Sequence, residues 1–168
     1  MFHEPHGHKT HPMSEKIRGA LFNALGDIGG LTFLDAFAGS GGLSFEAASR
    51  GASKVTAIEK DRAAHSVIDR NIDELKIGSV VHAVRANTAG WSIHNMENKF
   101  DVVLLDPPYD DINPALLEKL AKRHVKPGGL AVLSLPPNSD FSLRPNLYSL
   151  LSTKSYGDAQ LVFYRKIK

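Results

Sequence analysis

The sequence predicts an α/β fold: an open, mostly parallel seven-stranded sheet with helices on both faces and an antiparallel hairpin at the carboxyl end. Three observations carry this. From Leu31 onward, short β-branched runs alternate with helical patterns, as in successive βαβ units. Those runs are almost continuously apolar, as expected of strands covered on both faces. Near the end, Asn146–Lys154 and Gln160–Lys166 flank a Tyr156-Gly157-Asp158 turn, the pattern of a hairpin.

Taken in order, Ser14 is placed to cap an opening helix in which Ile17, Leu21 and Leu25 recur every four residues, with Gly29-Gly30 ending it. A strand over Leu31–Ala36 leads through a glycine-rich turn into a helix over Leu43–Arg50, stopped by Gly51. Strand Lys54–Glu59 precedes helix Asp61–Leu75, which sets Ala64, Val67, Ile68, Asn71, Ile72 and Leu75 along one side. Strands Val80–Val84 and Asp101–Asp106 follow. Helix Asn113–His124 repeats the pattern with Leu116, Leu117 and Leu120, then breaks at Lys126-Pro127-Gly128-Gly129 before strand Gly129–Leu135. Pro136-Pro137 and Pro145-Asn146 forbid a long element before the hairpin.

Composition sets the bounds. The 168 residues are 42% hydrophobic and 23% charged, with 14 Gly, 9 Pro and no Cys, which excludes disorder, collagen-like repeats and a disulfide scaffold. At this length about 70% of the unfolded chain's surface can be buried, enough for a full core without staples. No apolar run approaches the roughly 20 residues of a membrane span. Residues 1–13 are polar and His-rich, unlike a secretory signal. The expectation is a flexible segment over 1–13, a single domain over 14–168, a cytoplasmic location, a monomer and no membrane partner. Twenty Lys and Arg against 18 Asp and Glu give a net charge of +2, which neither announces nor excludes a nucleic-acid partner.

Two segments carry chemistry. The first is Phe33-Leu34-Asp35-Ala36-Phe37-Ala38-Gly39-Ser40-Gly41-Gly42, a strand ending in an acid and a turn that lets backbone approach a ligand. A dinucleotide fingerprint would need Gly where Ser44 stands, and the Asp35 carboxylate would repel a pyrophosphate. A ligand with an amino group fits better, which disfavours a nicotinamide oxidoreductase. Glu59 ends the second strand about 20 residues past the loop, where an acid can take both hydroxyls of a ribose; the alternative is a solvated charge run, Glu59-Lys60-Asp61, at a helix start. Asn87-Thr88 either meets a base edge or caps a turn.

The second segment is Asp106-Pro107-Pro108-Tyr109 at the carboxyl edge of the fourth strand. Two prolines remove two donors, so nearby carbonyls only accept, and the Asp106 carboxylate adds another acceptor. Such an array recognises an amino group. An exocyclic base amine donating both hydrogens to Asp106 and the Pro107 carbonyl would be held pyramidal, its lone pair free, while Tyr109 stacks on the extruded base. The alternative is a strand stopped by Pro-Pro with Tyr109 in the core.

Asp35–Gly41, Glu59 and Asp106–Tyr109 resemble the cofactor and catalytic motifs of the class I, Rossmann-like methyltransferases that use S-adenosylmethionine on exocyclic amines. With Pro12-Met13-Ser14 through Leu21-Phe22-Asn23, Glu46-Ala47, Ser49-Arg50-Gly51-Ala52 and Tyr156-Gly157-Asp158, the chain from about His11 onward is similar to the RsmD family of 16S rRNA guanine-N2 methyltransferases. The resemblance implies S-adenosylmethionine as cofactor, held by Asp35, Phe37, Gly39, Ser40, Gly41, Glu59, Asn87 and Thr88. It assigns the chemistry to Asp106, Pro107, Pro108 and Tyr109, with Arg18 and Tyr109 on the substrate. The implied partner is ribosomal RNA within a small-subunit assembly particle, and no metal is expected. Adenine-N6 methyl transfer on DNA or RNA and a non-catalytic cofactor- or RNA-binding module are the alternatives. Four positions depart from the family pattern: in His11-Pro12-Met13, His11 and Met13 stand for the Arg and Thr of Arg-Pro-Thr, Gly19 stands for Glu, and Asn87 for Asp.

The remaining candidates are less specific. His3, His6, His8 and His11 crowd the amino terminus without a cysteine or carboxylate set to complete a zinc site. Lys9, Lys16, Arg18, Arg50, Arg165, Lys166 and Lys168 could contact phosphates, depending on where they lie relative to Asp106. Trp91 reads as core or as a wall of an adenine pocket. Because the motifs occupy nearly the whole chain, substrate choice is expected from the rim of the catalytic sheet and a local basic face beside Asp106.

Overall fold

A computed structural model describes residues 13–167. Its elements are α1 (Glu15–Leu25), β1 (Thr32–Asp35), α2 (Gly42–Ser49), β2 (Lys54–Glu59), α3 (Arg62–Leu75), β3 (Val81–Arg85), α4 (Thr88–His94), β4 (Phe100–Leu105), α5 (Pro114–His124), β5 (Val125–Leu135), β6 (Tyr148–Ser155) and β7 (Gln160–Lys166). The strands form one seven-stranded sheet in the order β3-β2-β1-β4-β5-β7-β6. β1 to β5 pair in parallel, and the closing hairpin pairs antiparallel to β5 through β7. The order reverses at β1 and β4, and ligands of such sheets sit outside the carboxyl ends of the strands at that point. The fold class expected from periodicity is the one observed.

Local chemistry explains the helix starts. The Ser14, Asp61, Asn87 and Asn113 side chains accept from Ile17, Ala64, Gly90 and Leu116 N–H, each satisfying a donor the first turn leaves unpaired. Most boundaries fall within two residues of expectation; two differ by more, and one helix is unexpected. Helix α1 stops at Leu25 rather than Gly29, because Gly26 adopts φ +73° and donates its N–H to the Phe22 carbonyl at 3.1 Å. β5 begins at Val125, ahead of the anticipated break. Val125 pairs with Phe100, and the register resumes at Val102 and Leu130, so Lys126–Gly129 forms an irregularity within the strand. Helix α4 has no counterpart in the periodicity, since seven residues with Gly90 among them make too short a pattern.

Side chains alternate across the strands and build two cores. On one face Phe33, Val55, Val102 and Leu104 meet Ile17, Leu21 and Phe22 of α1, Phe45 of α2 and Ile68 of α3. On the other, Leu34, Ile58, Val103 and Leu105 meet Trp91 of α4 and Leu117 and Leu120 of α5. Each fully buried Leu or Phe contributes about 1.5–3 kcal/mol. Trp91 is therefore core, with the buried His124 ring 4.9 Å from its own. His124 donates from Nδ1 to the Asn98 carbonyl at 2.7 Å and has the Ser92 hydroxyl 2.8 Å from Nε2; burial lowers its pKa, against the Asn98 bond. Leu75, expected on the apolar side of α3, is 43% exposed at its last turn. Among the described residues, no helix is long and apolar enough to cross a membrane.

Candidate active site

Parallel pairing brings the two chemical segments together. Asp35 pairs with Leu104, so the strand-ending acid of β1 lies beside the chain about to become Asp106. Leu105 pairs with Leu133, which sets Ser134 next to Asp106. Above this edge opens a cavity of about 500 Å³ lined by Phe37, Gly39, Ser40, Glu59, Asn87, Thr88, Asp106, Pro107, Pro108 and Arg18, with Ile58, Leu43, Leu116 and Leu117 as apolar wall. A second cavity of about 210 Å³ lies against Ile17, Asp106, Tyr109, Ser134 and Asp158. Asp106 and Met13 line both.

Two of the anticipated residues stand behind the wall. Asp35 is fully buried; one carboxylate oxygen accepts from the Ser44 hydroxyl at 2.6 Å and the other has no partner. Burial pushes its carboxyl up to about 6, and the Glu59 charge adds to the rise against the Ser44 bond. Gly41 takes φ +89°, and a Cβ there would meet the Phe45 ring at 2.8 Å, so it lets α2 start tightly against the core. Tyr109 belongs to the smaller cavity, where its hydroxyl meets Ser134 Oγ at 2.8 Å.

The other acids are on the walls. Glu59 accepts from Gly39 N–H and Asp61 N–H, each at 2.8 Å, which pins the glycine loop to the end of β2 and leaves spare lone pairs on both oxygens. Burial raises its pKa, with the Asp61 and Gly39 bonds opposing. Asn87 caps α4, as one of its two readings has it, and also lines the cavity. Thr88 donates to the Ala36 carbonyl at 2.6 Å, tying α4 to the end of β1. Asp106 is pushed up to about 7 by burial and then by the Asp35 charge, against a hydrogen bond from Ser134.

The cations separate into two groups. Arg18 reaches the large cavity while pairing with Glu46 at 3.4 Å, and Arg50 pairs with Glu46 at 2.8 Å and lies over the Phe22 ring. Lys60 and Arg62 also line the cavity. Arg165 and Lys166 sit at the opposite end of the sheet, because β7 runs antiparallel and Arg165 pairs with Leu130. There they bind carbonyls, Arg165 that of Gly128 and Lys166 those of Lys122 and Val125, rather than bordering Asp106. The four amino-terminal histidines, Lys9 and Lys168 lie outside the described residues. Ser134 and Asp158 were not singled out as site residues. Ser134 carries a weak signal, a hydroxyl in the apolar run Val132-Leu133-Ser134-Leu135; Asp158 is in a motif whose position only the fold reveals.

The family described as Conserved hypothetical protein 95 matches residues 1–165. Ribosomal RNA small subunit methyltransferase D of Haemophilus influenzae is 32% identical over 159 residues, covering 92% of this chain and 80% of that protein. The chain belongs to the RsmD family of methyltransferases. The structure of yhhF from Escherichia coli superposes on this RsmD-family chain with a TM-score of 0.85 at 27% identity, covering 98% of one and 91% of the other. The Rickettsia prowazekii methylase RP545 is 29% identical over 211 residues, covering 94% and 89%. The RsmD-family assignment agrees with the sheet order, with the site at its reversal point, and with an acceptor array at the end of β4.

Proposed function

We propose that this chain transfers a methyl group from S-adenosylmethionine to the exocyclic N2 amine of a guanine in 16S ribosomal RNA. The observation that carries the reading is that Asp106 lines two adjoining cavities, a large one suited to a nucleoside cofactor and a small one suited to a single base. The residues present fit S-adenosylmethionine. Glu59 keeps lone pairs for ribose hydroxyls, Asn87 and Thr88 stand where an adenine would lie, and Phe37, Gly39 and Ser40 line the methionine end. The unpartnered Asp35 oxygen and Gly41 support that end from below, as a buried negative charge and a tight turn. S-adenosylmethionine, when bound, supplies a methyl on a sulfonium, an already activated group.

The protein's own work is alignment. Asp106 and the Pro107 carbonyl accept the amine hydrogens and hold its lone pair free. Pro108 stiffens the turn, and Tyr109, anchored on Ser134, packs against the base. Methyl transfer would break the carbon–sulfur bond, leave a neutral thioether and give the nitrogen a surplus proton, and Asp106, whose affinity lies near neutrality, is suited to accept and release that proton. Arg18 stands at the cavity as the candidate contact for the RNA backbone. The naming of the Haemophilus influenzae relative for the small-subunit RNA supports ribosomal RNA as substrate.

Mass spectrometry of ribosomal RNA from cells with and without the chain tests this. N2-methylguanosine is expected at one 16S position with the wild type, and none with Asp106→Ala, while calorimetric affinity for S-adenosylmethionine is largely kept. N6-methyladenosine as the chain-dependent product would establish the adenine alternative instead, since the acceptor array reads an amine and not a particular ring. No product at all would favour a binding module.

A further inference from the structure

The small cavity holds a second carboxylate that methyl transfer does not use. Asp158 lies in the turn between β6 and β7 and lines this cavity with Asp106, Tyr109, Ser134 and Ile17. Its side chain does not hold the turn together: the turn is closed by Tyr156 N–H donating to the Ala159 carbonyl at 2.8 Å. The Asp158 carboxylate forms no hydrogen bond or ion pair with any described residue. It is nevertheless close enough to Tyr109 that, after burial and Asp106, its charge helps raise the phenol pKa. An exposed acid with free acceptor capacity thus faces the space in which the target base is placed.

We propose that Asp158 selects guanine over adenine by accepting the ring N1–H beside the amine that Asp106 holds. This rests on the guanine-N2 reading above. Asp106 accepts from the amine of either base, so it cannot discriminate. The neighbouring ring nitrogen can: beside the amine, guanine presents a donor, N1–H, whereas adenine presents the N1 lone pair. A carboxylate at that position gains a charge-assisted hydrogen bond from guanine and sets lone pair against lone pair with adenine. The second acceptor comes from the hairpin, an element remote in sequence from the Asp-Pro-Pro-Tyr segment, so the amine reader and the base selector can be separated by mutation.

The test uses small ribosomal subunits unmodified at the target guanine, and matching subunits in which that guanine is replaced by adenine. Wild type and Asp158→Asn are incubated with radiolabelled S-adenosylmethionine, and kcat/KM is measured with the labelled nucleoside identified. The amide of Asn both accepts and donates, so Asp158→Asn is expected to lose about tenfold or more on guanine. Methylation of adenine should rise, narrowing the guanine-to-adenine ratio by about 10- to 100-fold. Calorimetric affinity for S-adenosylmethionine should stay within about twofold, because Asp158 is not on the cofactor cavity wall. An unchanged kcat/KM on guanine, or an equal fall on both bases, overturns the inference while the wild-type product still supports the functional reading. A wild type that makes no N2-methylguanosine overturns both.

Discussion

Replacing Ser134 by Ala should raise the pH at which the enzyme works. Ser134 is 3% exposed on β5 and has a single hydroxyl proton. Ser134 lowers the Asp106 pKa, and a carboxylate only accepts; a Ser134 proton given to Asp106 requires the Tyr109 hydroxyl, 2.8 Å away, to donate to Ser134 in turn. The bond opposes the burial and the Asp35 charge that push Asp106 up to about 7. A hydrogen bond to a charged group is worth about 1.5–3 kcal/mol. At about 1.36 kcal/mol per pKa unit, losing it moves Asp106 up by about 1–2 units. If the ionised carboxylate holds the amine, the ionised fraction at pH 7 falls about 5- to 50-fold. The assay is the pH profile of kcat/KM for labelled methyl transfer, wild type against Ser134→Ala. A bound sulfonium would act on wild type and variant alike, so the difference between the two midpoints is the readout. An upward displacement with activity recovering at alkaline pH is expected; an unmoved midpoint, or an equal loss at every pH, refutes the reasoning.

Glu59→Gln keeps the size but leaves one acceptor oxygen for the two N–H groups of Gly39 and Asp61, so calorimetry should show S-adenosylmethionine affinity falling about tenfold or more; unaltered affinity would remove Glu59 from the site. Gly41→Ala places a Cβ 2.8 Å from the Phe45 ring at φ +89°, and urea unfolding should register a loss of about 1–3 kcal/mol; an unshifted midpoint would contradict that geometry. The Asp106 carboxyl is raised from 3.8 to about 7 on folding, so the folded state binds its proton more tightly than the unfolded. Its contribution to stability is therefore full below about pH 4 and lost as pH rises through about 7. Stability of wild type relative to Asp106→Asn should decline across that window; a difference that grows with pH would be the wrong sign.

What could be read in advance was local. The cap at Ser14 and the helix starts at Asp61 and Asn113 lie next to the donors they satisfy, and the apolar runs of β2 and β4 carry their burial in their own composition. Helix α4 is illegible in the sequence because two turns hold too few residues to show a period, although Asn87 carries the signal of a cap. Gly26 ended α1 before the glycine pair because backbone conformation, not glycine count, terminates a helix. The sequence leaves open where the basic residues of β7 lie relative to Asp106, because the antiparallel register that carries them to the far end of the sheet is a contact between distant segments.

The sequence by itself determined the element types other than α4, the alternation that makes a parallel sheet, and the two acidic segments with the chemistry their residue types allow. Those follow from short-range sterics, capping and burial. Only the tertiary structure decided that Asp35 is sealed behind the cavity, that Asp106 borders two cavities, and that Ser134 and Asp158 join it from β5 and the hairpin turn. Strand order and register are set by contacts between segments far apart in the chain. The ionisation of Asp35 and Asp106 follows from the water those contacts exclude.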